Sequence, residues 1–394
     1  MYAIPKTLQT VILFLIVFCA SSSAGAQCTY FIKLSSGKST PQGYVLGIRF
    51  DGTLWAWGSN ASNKLGDGGG ADLLVPTQIG TDNDWLDVSA GGVHSLAVKT
   101  NGTLWAWGAN GFGALGDGTN TDKATPTQIG TDTDWKTVSA GYRHSLALKN
   151  NGTMWTWGNN TYCQLGQGSD CTHKNIPVQV GTGTDWMMIS AGSDYSLAVQ
   201  SNGNSWGWGR NNRGQCGTGN SGDHNVPTAI PTGNFVYISA GNLHSMAIAP
   251  DGTAWGWGDN FVSQLGNNQQ GGLERSPIQI GVQTDWVGLL PGEGFTIGIR
   301  NNGTAWSWGG GDTYAWGTGS PISRIPKQIG TDVNWESAIA GWNFGGAMKR
   351  IARCGPGAVI PMVTWAMVRL LMYCCRSKSL RRLPALRSRL CIRV

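Results

Sequence analysis

Residues 139–168 read SAGYRHSLALKNNGTMWTWGNNTYCQLGQG, and this stretch decides the fold. Residues 144–149 alternate polar and apolar with a period of two, the pattern of a strand that buries one face. Asn151 and Gly152 follow, a dipeptide that accepts the two positive φ values of a tight hairpin turn. The chain then returns over residues 153–158, where Trp155 and Trp157 stand two apart and so share one face. Residues 127–130 and 137–141 supply two more short strands, so one unit holds four. Such a sheet cannot bury its own indoles, and neighbouring units must stack face to face to do so.

The unit recurs along the chain. Residues 51–58, 101–108, 151–158, 202–209, 251–258 and 302–309 repeat one block, and Gly52, Gly102, Gly152, Gly203, Gly252 and Gly303 mark a period of about fifty residues. A Leu-Gly-Asp-Gly block begins at Leu65, returns at Leu115 and Leu165, and weakens at Cys216 and Leu265. A third block begins at Pro76, Pro126, Pro177, Pro227, Pro277 and Pro326, and a fourth pairs Trp85 with the Ser-Ala-Gly that starts at Ser89. All tryptophans except Trp316, Trp342 and Trp365 fall at repeat positions. The expected blade core is Trp55, Trp57, Trp105, Trp107, Trp155, Trp157, Trp206, Trp208, Trp255, Trp257, Trp306 and Trp308. Short strands bounded by Pro and Gly suit radial packing better than an open sheet. The expected fold is all-β: a β-propeller of four-stranded blades, with six in-frame repeats over residues 27–349 and a disrupted seventh.

Gly-x-x-His-Ser-Leu-Ala-Leu-Lys, Asn-Gly-Thr, Trp-x-Trp-Gly and Leu-Gly-Asp-Gly, kept in order and at fixed spacing over about residues 43–350, resemble the regulator of chromosome condensation repeat. The resemblance implies a seven-bladed propeller that binds other proteins through one face. Exported bacterial members of that family include inhibitors of extracellular enzymes.

Composition limits the function. The 394 residues include 60 Gly and 20 Trp with only 13% charged side chains, which excludes a disordered polyelectrolyte. The formal charge of +6 belongs to the tail, because residues 350–394 hold ten Lys or Arg and no acid. Residues 1–349 carry 18 basic and 22 acidic side chains, a poor footing for a polyphosphate, so no nucleic-acid partner is expected. Lys6, the apolar residues 11–20 and the small-x-small Ala24-Gly25-Ala26 form an export leader over residues 1–26. Ten apolar residues are too few to cross about 30 Å of hydrocarbon, so no membrane span is expected. A secreted, periplasmic or cell-surface monomer is the expected product. Outside the leader and tail the cysteines are Cys28, Cys163, Cys171 and Cys216, and Cys163 and Cys171 flank a short Gly-rich loop that a disulfide can close.

No catalytic constellation emerges. His94, His144 and His244 precede Ser95, Ser145 and Ser245, but adjacent strand residues point to opposite faces and cannot form a base–nucleophile pair. Asp82 with Asp84 and Asp132 with Asp134 lack the remaining ligands of a calcium loop and read as turn residues. No metal or cofactor is expected. Variable loops follow each Trp-x-Trp-Gly strand, at residues 60–64, 110–114, 160–164, 211–215, 260–264 and 311–315, and recognition is expected there. Trp316 and Trp342 are candidate exposed anchors.

The expected function is a non-catalytic protein-interaction module or inhibitor-like binder whose partner protein the sequence does not identify. The alternative is a propeller enzyme acting on polysaccharide, a lyase or hydrolase, which rests on fold analogy. Guanine-nucleotide exchange, the activity of the family's founder, conflicts with an export leader and an acidic mature chain.

Residues 350–394 read as a frameshifted last blade. When the codon frame of residues 350–369 is shifted, the genetic code permits Asp-Ser-Thr-Leu-Trp-Ala-Trp-Gly-Gly-Asn-Thr-Tyr-Gly-Asn-Leu-Gly-Asp-Gly-Thr, the missing repeat. The competing reading is a basic arm for membrane or nucleic acid, built on Arg381, Arg382, Arg387 and Arg389. Reading the gene across Lys349 in the shifted frame is expected to spell that repeat; any other sequence rejects the frameshift.

Overall fold

A computed structural model describes residues 30–37, 43–310, 322–342 and 344–349. The leader, Cys28, the loop at 311–315, Trp316 and the tail from Arg350 lie outside the described residues. Blade 1 is Phe31–Ser36, Tyr44–Arg49, Leu54–Gly58 and Leu73–Gln78, and blade 2 is Trp85–Ala90, His94–Lys99, Leu104–Gly108 and Lys123–Ile129. Blade 3 is Trp135–Ala140, His144–Lys149, Met154–Gly158 and Lys174–Gln179, and blade 4 is Trp186–Ala191, Tyr195–Gln200, Asn204–Gly209 and His224–Asn234. Blade 5 is Tyr237–Ala240, His244–Ile248, Ala254–Asp259 and Leu273–Ile280, and blade 6 is Trp286–Pro291, Phe295–Arg300, Ala305–Gly310 and Ile322–Gln328. Every sheet is antiparallel in chain order, and the first strands of successive sheets lie against each other around the ring.

The blade count differs from the seven that the family resemblance implied. The described residues form six four-stranded blades, and the place of a seventh is held by two strands, Trp335–Ala340 and Gly345–Lys349. Strands three and four of that sheet would follow Lys349, where the repeat stops in the sequence. The two-stranded sheet nevertheless bridges the ring. Trp335, Ala338 and Ala340 share a core with Phe295 and Ile299 of blade 6, while Ile339 and Phe344 pack with Val45 and Trp57 of blade 1.

The phase of the repeat also differs from the sequence unit. The strand read at 127–130 lies in Lys123–Ile129, the outer edge of blade 2, whereas 137–141 begins blade 3. A short connection carries the chain from the rim of one sheet to the centre of the next, so the sequence unit straddles two blades. Outer strands carry exposed Val75, Ile176, Val226 and Ile325, each followed by a proline that cannot donate to an added strand.

The two indoles of each Trp-x-Trp pair have different environments. Trp57, Trp107, Trp157, Trp208, Trp257 and Trp308 are buried between blades, whereas Trp55, Trp105, Trp155, Trp206, Trp255 and Trp306 are half-buried. Trp135 meets both Trp155 and Trp157 edge-on, with centroids 5.9 and 6.3 Å apart, so the pair does share a face. In blade 3 the buried Trp157 sits among Leu104, Ala106 and Leu115 of blade 2.

From blade 1 to blade 6, one backbone oxygen joins each blade to the next. The carbonyl of Ala114, in the blade 2 loop, accepts Trp157 Nε1–H at 2.8 Å and the Ser145 hydroxyl at 2.7 Å, both from blade 3. Lys64 O takes Trp107 and Ser95 at 2.9 and 2.7 Å, Gln164 O takes Trp208 and Ser196 at 2.9 and 2.8 Å, and Gln215 O takes Trp257 and Ser245 at 2.9 and 2.8 Å. At blade 6 Gln264 O accepts Thr296 at 2.9 Å while Trp308 Nε1 has no partner. The approach requires glycine next to the loop leucine: Gly116 has φ +79°, and a Cβ there would stand 2.8 Å from Trp157 Nε1.

A second series runs closer to the axis. The hydroxyls of Ser35, Ser89, Ser139 and Ser190 accept the N–H of Ala90, Ala140, Ala191 and Ala240, all at 2.9 Å. Pro291 occupies the next equivalent position and has no N–H to give, so the series stops at blade 6.

Removing one bridging hydroxyl should therefore weaken the ring without opening a large cavity. Ser145→Ala is expected to lower unfolding stability by about 1–2 kcal/mol, read as a fall in the urea midpoint, because His94 Nε2 and Ala114 O each lose a buried partner. An unchanged midpoint would show that these bonds do not hold the blades together.

Candidate interaction face

Strand pairing places two sets of connections at one end of the ring. His144 pairs with Gly158, so the turn before His144 and the loop after Gly158 emerge side by side, and the same register holds at His94–Gly108 and His244–Gly258. The loops expected to vary prove to be fixed at both ends. Asn60, Asn110, Asn160, Asn211 and Asn260 are buried, and each Oδ1 accepts the N–H five residues on, at 2.9–3.1 Å. The closing residues Lys64, Ala114, Gln164, Gln215 and Gln264 are also buried, so in these five loops exposure is confined to the residues between. Cys163 and Cys171 form a disulfide across the blade 3 loop with Cα atoms 4.7 Å apart, and Tyr162 sits beside that bridge. Cys216 fills the position of the loop leucine, inside the core.

The loop tips carry three arginine-on-aromatic stacks in an arc over blades 2 to 5. Arg143 lies 5.0 Å from the Phe112 ring and 4.9 Å from the Tyr142 ring, Arg210 lies 4.8 Å from Tyr162, and Arg213 lies 5.1 Å from Phe261. Phe261 is 52% exposed, a large apolar ring left in water. A 230 Å³ pocket opens beside the first stack, between Ser62, Val93, Phe112, Asp122 and Arg143. Acids partner the other two cations: Asp194 stands 3.4 Å from Arg210, and Asp259 3.9 Å from Arg213. Burial raises both carboxyl groups above their usual range, and the arginines pull in the opposite direction.

Nearer the axis, the residue after the turn glycine is Gly92, Tyr142, Ser193, Asn242, Glu293 and Trp342 in successive sheets. Tyr142 covers Gly92, where a Cβ would come within 2.1 Å of its ring. The Ser193 hydroxyl donates to Asn242 Oδ1, and Asn242 Nδ2 donates to Glu293 Oε2, a chain across blades 4 to 6. Burial, opposed by the Asn242 bond and reinforced by the charge of Asp259, pushes the Glu293 carboxyl up to about 7. Trp342, a candidate exposed anchor, is half-buried.

The histidines bond between blades. His94 Nε2 meets Ser145 Oγ of the next blade at 2.8 Å, His144 meets Ser196 at 3.1 Å, and His244 meets Thr296 at 3.0 Å. Sequence reasoning excluded the adjacent pair but did not foresee this cross-blade one. It lacks the features of a nucleophile and its base. Each serine gives its proton to a carbonyl, so Nε2–H must donate to Oγ, and both side chains are fully buried. Burial lowers His94 to about 4, and burial, with a contribution from His94, lowers His144 to about 3, so both are neutral at pH 7.

At the opposite end the paired aspartates clamp a lysine against indoles. Lys99 contacts Asp82 at 2.6 Å and Asp84 at 3.0 Å and lies over the Trp85 and Trp105 rings, and Lys149 repeats this with Asp132, Asp134, Trp135 and Trp155. These acids hold a structural cation rather than only forming a turn. Among the described residues no three His, Cys, Asp or Glu side chains gather as metal ligands, and no helix is long and apolar enough to cross a membrane.

Comparison with known proteins agrees with the repeat. Family models described as "Regulator of chromosome condensation (RCC1) repeat" match residues 51–98, 101–148, 151–199 and 202–248, and, in a second model, residues 85–114, 135–164 and 235–264. The chain carries RCC1 repeats. Among solved structures it is similar to Prp20p from Saccharomyces cerevisiae, with 22% identity over 82% of this chain and 83% of that one and a TM-score of 0.71. Yeast RCC1 (Prp20) bound to Kap60 gives 23% identity, 82% and 81% coverage and 0.71, and human WBSCR16 gives 20%, 81% and 88%, and 0.71. No curated protein sequence matches the chain. At these identities the solved relatives establish the propeller fold.

The raised Glu293 carboxyl makes a pH signature. The native state holds this proton up to about 7 while the unfolded chain releases it near 4.5, so the group's contribution to stability is full below 4.5 and is lost as pH rises through 7. Glu293→Gln is expected to gain stability relative to the parent between pH 4.5 and 7 and to level off above, in urea midpoints taken across that range. A constant difference would contradict the burial of this carboxyl.

Proposed function

We propose that this chain is an exported, monomeric, non-catalytic protein-interaction module that engages its partner with the loop face of blades 2 to 5. The three arginine-on-aromatic stacks carry this reading. Arg, Tyr and Phe are enriched at protein interfaces, where a large rigid ring beside a planar cation binds at small entropic cost. Buried asparagines and the Cys163–Cys171 bridge hold the loops before any partner arrives, which lowers the cost of ordering them on binding. Relatives of the same fold support the class: Prp20p was solved with its binding properties to Gsp1p and histones described, and yeast RCC1 (Prp20) was solved with Kap60 bound. Export is supported by the leader-like residues 1–26 and by a disulfide suited to an oxidising compartment.

The test is recovery of a partner from an extracellular or periplasmic extract by the protein with its last repeat restored. The parent is expected to retain a defined protein that the Arg143→Ala, Phe261→Ala double variant loses, since truncating an interface anchor costs about 2 kcal/mol or more. Equal recovery by the variant, or no specific partner from a correctly folded parent, rejects the loop face. Turnover in a polysaccharide panel would favour the enzyme alternative instead.

A further inference from the structure

A second concave site lies away from the loop face. A 340 Å³ pocket between blades 5 and 6 is lined by Trp286, Arg300, Trp306, Gln279, Gln283 and Asn267, among others. Its counterparts in blades 2 and 3 are the lysine clamps described above, and the comparison shows what has changed. Lys99 and Lys149 each have two carboxylates, so each of those sites is net negative. In blade 6 Arg300 replaces the lysine, Asp285 keeps one acid, and Gln283 stands where Asp82 and Asp132 supply the second. The site is neutral, one unit more positive than its counterparts.

Arg300 spends only Nε on Asp285, at 2.6 Å, so its two Nη groups keep four N–H donors. The guanidinium lies 5.4 Å from the Trp306 ring, and Trp306 Nε1 is tied to Thr304 Oγ1 at 2.8 Å, which fixes the plane of that half-exposed indole. The amides bring both polarities. Gln279 Nε2 is held by Gly281 O at 3.2 Å, leaving its oxygen to accept, while Asn267 Oδ1 is occupied by Asn260 and Gln269, leaving its Nδ2 to donate. Gln283 can do both. A flat aromatic wall suits the C–H face of a sugar ring, mixed amides suit hydroxyls, and a free guanidinium edge takes a carboxylate in two parallel bonds.

We propose that the pocket formed by Trp306, Arg300 and Gln283 binds a uronic-acid unit of an acidic saccharide, with its carboxylate on Arg300 and its ring against Trp306. This site is independent of the protein-binding face and survives if that reading fails.

Isothermal titration with tetragalacturonate, with cellotetraose as the neutral control, tests the assignment on the intact protein. The parent is expected to bind the acidic tetramer and not the neutral one. Gln283→Asp should weaken binding about tenfold by restoring the second carboxylate on the cation. That variant reproduces what blades 2 and 3 already carry, so its urea midpoint should match the parent. Phe112→Ala, at the other end of the ring, should leave the affinity unchanged. No saturable heat with tetragalacturonate at ~1 mM, equal binding of cellotetraose, or an unweakened Gln283→Asp would each overturn the proposal.

Discussion

The structure depends on one shared acceptor. At the ends of the loops of blades 1 to 4 a backbone carbonyl takes both an indole N–H and a hydroxyl from the following blade, and this fixes the spacing and rotation of those neighbouring sheets. Trp107, Trp157, Trp208 and Trp257 each find an acceptor for the buried indole N–H in the sheet before their own, whereas Trp308 and the first-strand indoles Trp85, Trp135, Trp186, Trp286 and Trp335 are buried with Nε1 unpartnered. That arrangement brings three residues together: Ser or Thr one place before the Leu-Ala-Leu run, Trp in the third strand, and a glycine of positive φ that lets the ring approach the loop.

The described loops of blades 1 to 5 are each held at a buried asparagine and at the carbonyl that follows. Some residues in between reach the surface. Phe112, Tyr162, Arg213 and Phe261 lie there, with Arg143 and Arg210 just outside, so the face differs from blade to blade while the interior does not. At the other end the cation clamps are structural in blades 2 and 3, and in blade 6 Arg300 in place of the lysine and Gln283 in place of the second acid leave a neutral site beside the pocket.

Much of this was legible in the residues. Period-two alternation and Asn-Gly turns gave the strands, and the fifty-residue spacing gave the stacking, because both report local geometry. The phase of the blades was not: a sequence repeat has no marked origin, and only the pairing of Lys174–Gln179 with Met154–Gly158 shows where blade 3 ends. The loop asparagines looked like recognition residues because polarity is visible in sequence and burial is not. Likewise, His94 next to Ser95 was correctly dismissed, yet its bond to Ser145, 51 residues away, leaves no local signal.

The sequence by itself determined the class of fold, the number of intact repeats and the absence of a recognisable catalytic motif, since these follow from periodicity and residue type. Tertiary structure alone decided which indole of each pair is buried, which oxygen receives it, and which side chains from different blades meet at the rim. Those outcomes depend on contacts between residues about fifty positions apart, and the geometry that joins them exists only once the sheets have packed around an axis.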